Sequence, residues 1–201
     1  MGVPTRWVTD TDEGHSQWYI NRFRTMDADG VDLGGEARLI DAMAARGSRI
    51  LDAGCGPGRV GALLHERGHD VVGVDADPEL IAAASADHPG PQWVVADLAV
   101  LDLSAVGIDV PFDVAVLAGN VLAFVAIATE ADVLRRIAAH LVPGGCLVVG
   151  LGTDRGYALD AFDADLAVAG FVLEHRFATW DLSPWHDDAG FAVSVLRLPT
   201  V

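Results

Sequence analysis

An α/β domain on a doubly wound, seven-stranded and mostly parallel sheet is what the order of apolar segments predicts. Between residues 49 and 169, short runs rich in Val, Ile and Leu alternate with helical segments, the pattern of a parallel sheet covered by helices on both faces. Three glycines at 54, 56 and 58 follow the first of these runs and stand at the start of a helix. The last two strand-like runs, 171–180 and 191–198, are joined by a loop with no helix in it. So short a link makes them antiparallel neighbours, and the sheet ends in a hairpin with one antiparallel strand.

Taken in order, residues 1–12 read as a frayed leader. From 13 to about 28, Tyr19, Phe23 and Met26 recur at i, i+4 and i+7, one face of a helix, with Trp18 beside it. Asp29-Gly30 stops it, and residues 35–46 form a second helix closed by Gly47. Residues 1–35 are therefore expected to form a leader and helical cap, and 36–201 the main domain. Residues 49–53 are a buried strand, 59–67 a helix ending at Gly68, and 70–75 a second strand. Asp77-Pro78-Glu79 is a helix start, with an acid at the N-cap, Pro at the first helical position and an acid in the first turn. His88-Pro89-Gly90-Pro91 breaks the chain before a strand at 92–96. A strand at 112–117, a helix at 129–141, a turn at Pro143-Gly144-Gly145, a strand at 146–151 and a helix at 157–169 complete the alternation.

Composition narrows the function classes. The apolar fraction of 51% suits a sizeable core and not a disordered chain. With 29 acids against 13 basic residues, all arginine, the net charge is −16. Nucleic acid is excluded as an expected partner, because duplex binding needs clustered cations on the phosphates. A neutral, amine or cationic small molecule fits that charge better, although acidity also serves solubility alone. Cys55 and Cys146 are too few for a disulfide framework, so an intracellular, cytoplasmic chain with free thiols is expected. Residues 1–12 lack the apolar stretch of a signal peptide. The longest run without Asp, Glu, Arg or His, 114–129, is broken by Gly119 and Asn120 and falls short of the ~20 residues a membrane span needs.

The glycine loop has partners at the same sheet edge. A helix of ~10 residues runs back about 15 Å, and a strand of ~6 residues returns about 20 Å, so Asp75 arrives beside Gly54. A carboxylate there can accept from the two hydroxyls of a ribose. Asp97 ends the third strand on that edge, where it can accept from an adenine amine while Leu98 covers the base. In this order, Asp52-Ala53-Gly54-Cys55-Gly56-Pro57-Gly58, Val74-Asp75 with Asp77-Pro78-Glu79, Ala96-Asp97-Leu98, the strand 112–117 and Leu141-Val142-Pro143-Gly144-Gly145 resemble the class I S-adenosylmethionine-dependent methyltransferases over residues 36–198. The resemblance implies a Rossmann-like fold and S-adenosyl-L-methionine as cofactor. Gly54, Cys55 and Gly56 would pass its methionine part, with Asp52 on the ammonium directly or through water. Asp75 and Ala76 would take the ribose, Asp97 and Leu98 the adenine, and the carbonyls near Ala118 and Gly119 the amino group.

Two other motifs compete for the same residues. Gly56-x-Gly58-x-x-Gly61 matches a dinucleotide fingerprint, but one starting directly off the strand at Gly54 needs its third glycine at 59, which is Arg. His65-Glu66-Arg67-Gly68-His69 matches a zinc-protease motif, yet Gly68 ends the helix before the second histidine. No metal site is expected.

Methyl transfer needs alignment and dryness more than a catalytic constellation, and none is visible. Ligands in this architecture lie at the carboxyl ends of the parallel strands. Asn120, just past an apolar strand, is the candidate catalytic polar group near the methyl. Trp18 and Tyr19 of the cap, Asn120, Tyr157, and Trp180, Trp185 and His186 of the hairpin loop are the candidates for binding a small-molecule substrate. The absence of an obvious base leaves an alternative, a non-catalytic S-adenosylmethionine-binding sensor or accessory protein. Oligomeric state and acceptor atom are not encoded in any recognisable pattern.

Overall fold

Seven strands form one sheet in the order β3-β2-β1-β4-β5-β7-β6. The computed structural model describes residues 3–200, so Met1 and Gly2 of the expected leader lie outside the described residues. The strands are β1 (Arg49–Ala53), β2 (Asp70–Asp75), β3 (Gln92–Val95), β4 (Phe112–Leu117), β5 (Leu141–Gly152), β6 (Val172–Phe177) and β7 (Phe191–Arg197). β7 runs antiparallel to both β5 and β6, and the remaining pairings are parallel. The doubly wound sheet with one antiparallel strand is thus present as expected. β1 and β4 are buried along almost their whole length, as parallel strands covered on both faces must be.

The helices are α1 (Arg6–Thr9), α2 (His15–Ala28), α3 (Gly35–Met43), α4 (Arg59–Glu66), α5 (Pro78–Asp87), α6 (Val121–Phe124), α7 (Glu130–His140) and α8 (Leu159–Val168). One core layer joins α7 and α8 to the sheet through Leu134, Ile137, Phe162 and Leu166. The other joins α3 and α4 to it through Ile40, Val60 and Leu64. Asp77 caps α5 as its sequence indicates, its carboxylate accepting from Glu79 N at 2.8 Å.

Four expectations change. Residues 6–9 are not frayed: they form α1, whose Arg6 donates to Val125 O and Leu122 O at 3.0 Å and pairs with Glu130 at 2.7 Å. A single long cation satisfies carbonyls at the open end of α6, a contact between positions more than a hundred residues apart that periodicity does not register. Pro143, Gly144 and Gly145 are not a turn between elements but an irregular stretch inside β5, where its register with β4 shifts. Tyr157 precedes α8 instead of starting it, and β6 stops at Phe177, because the following loop turns back on itself with Ala178 N donating to Ser183 O. Arg6→Ala should therefore release α1 while the sheet stays folded. Its three charge-assisted bonds, at about 1.5–3 kcal/mol for such interactions, predict amide exchange in α1 at least about tenfold faster and little change in the strands.

Candidate functional site

β1, β2 and β4 each end at the same edge of the sheet, and α1 and α2 lie across that edge. Between them is a cavity of about 420 Å³. Its floor is bare backbone, because Gly54, Gly56 and Gly119 line it. Gly54 has φ +76°, and a Cβ there would come within 2.5 Å of both Val121 methyl carbons. Only glycine allows that turn with α6 so close.

Asp75 closes one end of the floor. Its Oδ2 accepts from Gly56 N at 2.9 Å and its Oδ1 from Asp77 N at 3.0 Å, and burial pushes its carboxyl above the usual range. Asp97 accepts from Ala99 N at 2.9 Å. Ala76, Leu80 and Leu98 supply apolar wall beside these acids. Asn120 lies at the opposite end. Its backbone is left-handed, with φ +65°, and its Oδ1 accepts from Gly152 N, which turns the amide nitrogen away from that bond.

The roof is aromatic. Trp7, Trp18, Tyr19 and Phe23 from α1 and α2, with Phe124 from α6, line the cavity. The Trp7 ring meets His15, Tyr19 and Phe124 edge-on at 4.7, 5.2 and 5.5 Å. Polar latches hold this roof to the sheet edge. Trp7 Nε1 donates to Asp77 Oδ2 at 2.8 Å, with Ser16 Oγ on the same oxygen. Asp77 N in turn donates to Asp75, so one residue links roof and floor. Arg59 forks onto Glu36 at 2.6 and 2.8 Å, reaches Leu33 O and stacks on Phe23 at 5.4 Å. Burial works against the Glu36 carboxylate, but the two Arg59 bonds hold it below its usual range.

Of the residues singled out from sequence, Gly54, Gly56, Asp75, Ala76, Asp97, Leu98, Ala118, Gly119, Asn120, Trp18 and Tyr19 come together on this one cavity. Six do not. Asp52 is buried beneath α4, where its Oδ2 accepts from Gly61 N at 2.8 Å, and it holds the helix start instead of facing the cavity. The Cys55 thiol points toward Gly73 in β2, a glycine whose added Cβ would lie 3.1 Å from the sulfur. Tyr157 is buried, with its hydroxyl donating to Asp165 at 2.6 Å. Trp180 packs over Gly150 with the α3–α4 core layer. Trp185 stacks under Arg176 at 5.7 Å, and His186 closes a turn through Ala189 N. The hairpin loop folds back on its own sheet, bridging Phe177 to Pro184; Trp180 covers core, Trp185 is half-buried, His186 is exposed, and none of the three lines the cavity. Sequence reading missed Trp7, Arg22 and Phe124, which line the cavity. The Tyr19–Phe23 stripe and the adjoining Trp18 signalled a roof on α2; nothing local signalled Trp7 or Phe124.

The rival motifs resolve on packing. Gly61, the last glycine of the apparent dinucleotide fingerprint, is packed closely: a Cβ added there would lie 3.0 Å from the Trp93 ring and 3.1 Å from Asp52, a packing contact and not part of a phosphate cradle. His65 and His69 do not share a helix: α4 ends at Glu66, and His69 is buried against Asp41 at 3.2 Å. Among the described residues no cluster of His, Cys, Asp and Glu is arranged to hold a metal, and no helix is long and apolar enough to cross a membrane.

Burial pushes the Asp52 carboxyl up to about 7, against the pull of the Gly61 N–H and of Arg59. The folded chain therefore keeps this proton to higher pH than the unfolded chain does. Between about pH 4 and pH 7 the unfolded state binds fewer protons there, so this group makes stability fall as pH rises. Asp52→Asn keeps the acceptor for Gly61 N and removes the titration. Urea unfolding across that window should show a shallower decline for the variant than for the wild type.

A family profile for a methyltransferase domain matches residues 50–145. A TehB-like S-adenosylmethionine-dependent methyltransferase from Corynebacterium glutamicum is 44% identical, with a TM-score of 0.86 over 92% of this chain and 98% of that one. The CcbJ methyltransferase of Streptomyces caelestis, 21% identical with a TM-score of 0.70 over 82% and 89% of the two chains, shares the fold. A trans-aconitate 2-methyltransferase of Azoarcus sp. (strain BH72) is 35% identical over 50% of this chain, and the match spans 37% of that protein's length. The chain thus covers well under half of the curated relatives it matches. From the glycine-floored cavity, the strand order and the full-length likeness to the Corynebacterium protein, this chain belongs to the S-adenosylmethionine-dependent methyltransferases.

Proposed function

We propose that this protein transfers a methyl group from S-adenosylmethionine to a small-molecule acceptor inside the aromatic-roofed cavity. The convergence of the Gly54, Gly56 and Gly119 backbone with Asp75 and Asp97 on that one cavity carries the reading. The residues present fit the cofactor. Asp75, tied to the glycine loop, would accept from the ribose hydroxyls, with Ala76 alongside. Asp97 and Leu98 would hold the adenine. The glycine backbone would pass the methionine part, and the carbonyls of Ala118 and Gly119 would meet its ammonium. When bound, S-adenosylmethionine supplies a methyl on a positively charged sulfur, which an acceptor lone pair takes in line while the C–S electron pair stays on the sulfur as a thioether.

The chain's own contribution is placement and exclusion of water. Trp7, Tyr19 and Phe124 cover the cavity with apolar surface, which strengthens the polar contacts beneath them. Asn120, its oxygen fixed by Gly152, is the candidate polar group at the acceptor end, with its amide nitrogen free to orient the acceptor. The cavity's size suits a small acceptor, and no basic surface suited to nucleic acid is expected from a net charge of −16. The free, buried Cys55 and Cys146 support a cytoplasmic setting. Incubation with methyl-labelled S-adenosylmethionine and a panel of small acids, amines, alcohols and thiols tests the activity. Labelled methyl on at least one class is expected; cofactor binding with no transfer to any class would favour the non-catalytic alternative.

A further inference from the structure

The chain carries 29 acids and 13 arginines, and that balance favours a neutral or cationic acceptor. However, charges beyond about 8–10 Å are largely screened in salt, so affinity is set by the groups that touch the ligand. Both signs of charge line the cavity. The lining carboxylates, Asp75 and Asp97, lie at the glycine-loop end and are committed to the backbone N–H groups of Gly56, Asp77 and Ala99. Arg22 and Arg155 line the cavity as well.

Neither arginine is neutralised in the way most others are. Arg22 lies over the Trp18 ring at 5.5 Å and has no carboxylate partner among the described residues. In so acidic a chain, a guanidinium left without an acid at a cavity mouth is informative. Arg155 reaches only Asp154, at 3.7 Å, with side chains 60% and 84% exposed. Its stem crosses Gly152, where an added Cβ would meet Arg155 Cγ at 2.8 Å and Asn120 Oδ1 at 2.9 Å. Glycine at 152 therefore lets Arg155 and Asn120 share the end of β5. Because Asn120 Oδ1 already accepts from Gly152 N, what Asn120 has left to offer is an N–H donor. The Arg155 guanidinium and the Asn120 amide make this end a donor surface, and Arg22 adds a second cation to the lining from α2.

We propose that the acceptor is a small carboxylic acid whose carboxylate is held by Arg155 beside the Asn120 amide, with Arg22 adding positive charge to the lining, so that the local charge of the cavity overrides the charge of the whole chain. This rests on the methyltransferase reading above. Bound S-adenosylmethionine brings a sulfonium and an ammonium against one carboxylate, which makes the loaded cavity more positive still. An amine acceptor would meet repulsion from the same groups, and the planar guanidinium fork matches a carboxylate in two parallel hydrogen bonds.

The test uses the full chain loaded with S-adenosylhomocysteine and titrated with matched probes: benzoate, benzamide and benzylamine, then succinate and succinamide. The carboxylates should bind at least about tenfold tighter than their amides or the amine, and Arg155→Gln should weaken them about tenfold, the scale of a lost charged hydrogen bond, with a smaller loss for Arg22→Gln. Arg155→Gln should leave S-adenosylhomocysteine affinity within about twofold, because that loss is confined to the acceptor end. Binding of benzamide or benzylamine as tight as benzoate, no carboxylate binding to the loaded protein, or a carboxylate preference unchanged in Arg155→Gln would each overturn the proposal. Failure of S-adenosylhomocysteine itself to bind would instead remove the methyltransferase reading beneath it.

Discussion

Asp75→Ala should weaken S-adenosylhomocysteine binding about 100-fold or more while leaving the protein folded. Two charge-assisted hydrogen bonds to ribose hydroxyls, at about 1.5–3 kcal/mol each, account for that magnitude. The loss does not stop at the ligand. Asp75 also receives Gly56 N and Asp77 N, so its removal frees the glycine loop at one end and the Trp7–Asp77 latch at the other. Folding should be spared, because burial already disfavours this carboxylate and alanine relieves that penalty. Calorimetric affinity together with the thermal midpoint separates the two effects. An affinity within about threefold of wild type would mean that Asp75 is a structural acid and not a ligand contact.

Trp93→Ala should destabilise the fold by about 3–5 kcal/mol, more than the loss of Arg6 or of Asp75. Three glycines from two different elements receive this ring. An added Cβ would come within 2.3 Å of it at Gly73, 2.9 Å at Gly58 and 3.0 Å at Gly61. Gly73 and Trp93 are register partners on β2 and β3. The indole nitrogen donates to His88 O at 2.9 Å, which fixes the ring in place. Trp93 therefore braces the glycine loop and the start of α4 from beneath, and its loss leaves a void that glycine backbones cannot fill. At roughly 2–4 °C per kcal/mol for a domain of this size, the thermal midpoint should fall by about 10 °C. Gly73→Ala should also destabilise, by overpacking, at about 1–3 kcal/mol. In the double variant the two changes should be markedly less than additive, because truncating the ring makes room for the new methyl. Simple additivity in a chemical unfolding series would rule out the brace.

What was legible in the sequence, and what was not, divides along a physical line. Features set by local periodicity or by a strand end are plain in the chain: the alternation that gives β1 to β5, the hairpin that gives β6 and β7, and the acids at 75 and 97 that arrive at the edge where Gly54 stands. Features set by contact between distant segments are not. Arg6 finds carbonyls at 122 and 125, and Trp7 finds Asp77. Gly58, Gly61 and Gly73 look like ligand or strand glycines until the Trp93 ring is seen lying on them. The aromatic hairpin loop misleads for the same reason. Trp180 and Trp185 resemble pocket walls by composition, yet the loop's own turn at Ala178 and Ser183 sends them back onto the sheet. Asp52 follows a subtler rule. An acid ending a strand before a glycine loop is read as a ligand contact, but here its Oδ2 accepts from the N–H of Gly61 in the first turn of α4.

Titration of the wild-type chain with S-adenosylhomocysteine, followed by calorimetry, tests most directly whether the cavity between the glycine loop and the aromatic roof is a cofactor site. One ligand per chain is predicted, with a dissociation constant in the micromolar range and no comparable affinity for reduced nicotinamide dinucleotide. Absence of binding at millimolar ligand, or equal binding of the dinucleotide, would contradict it.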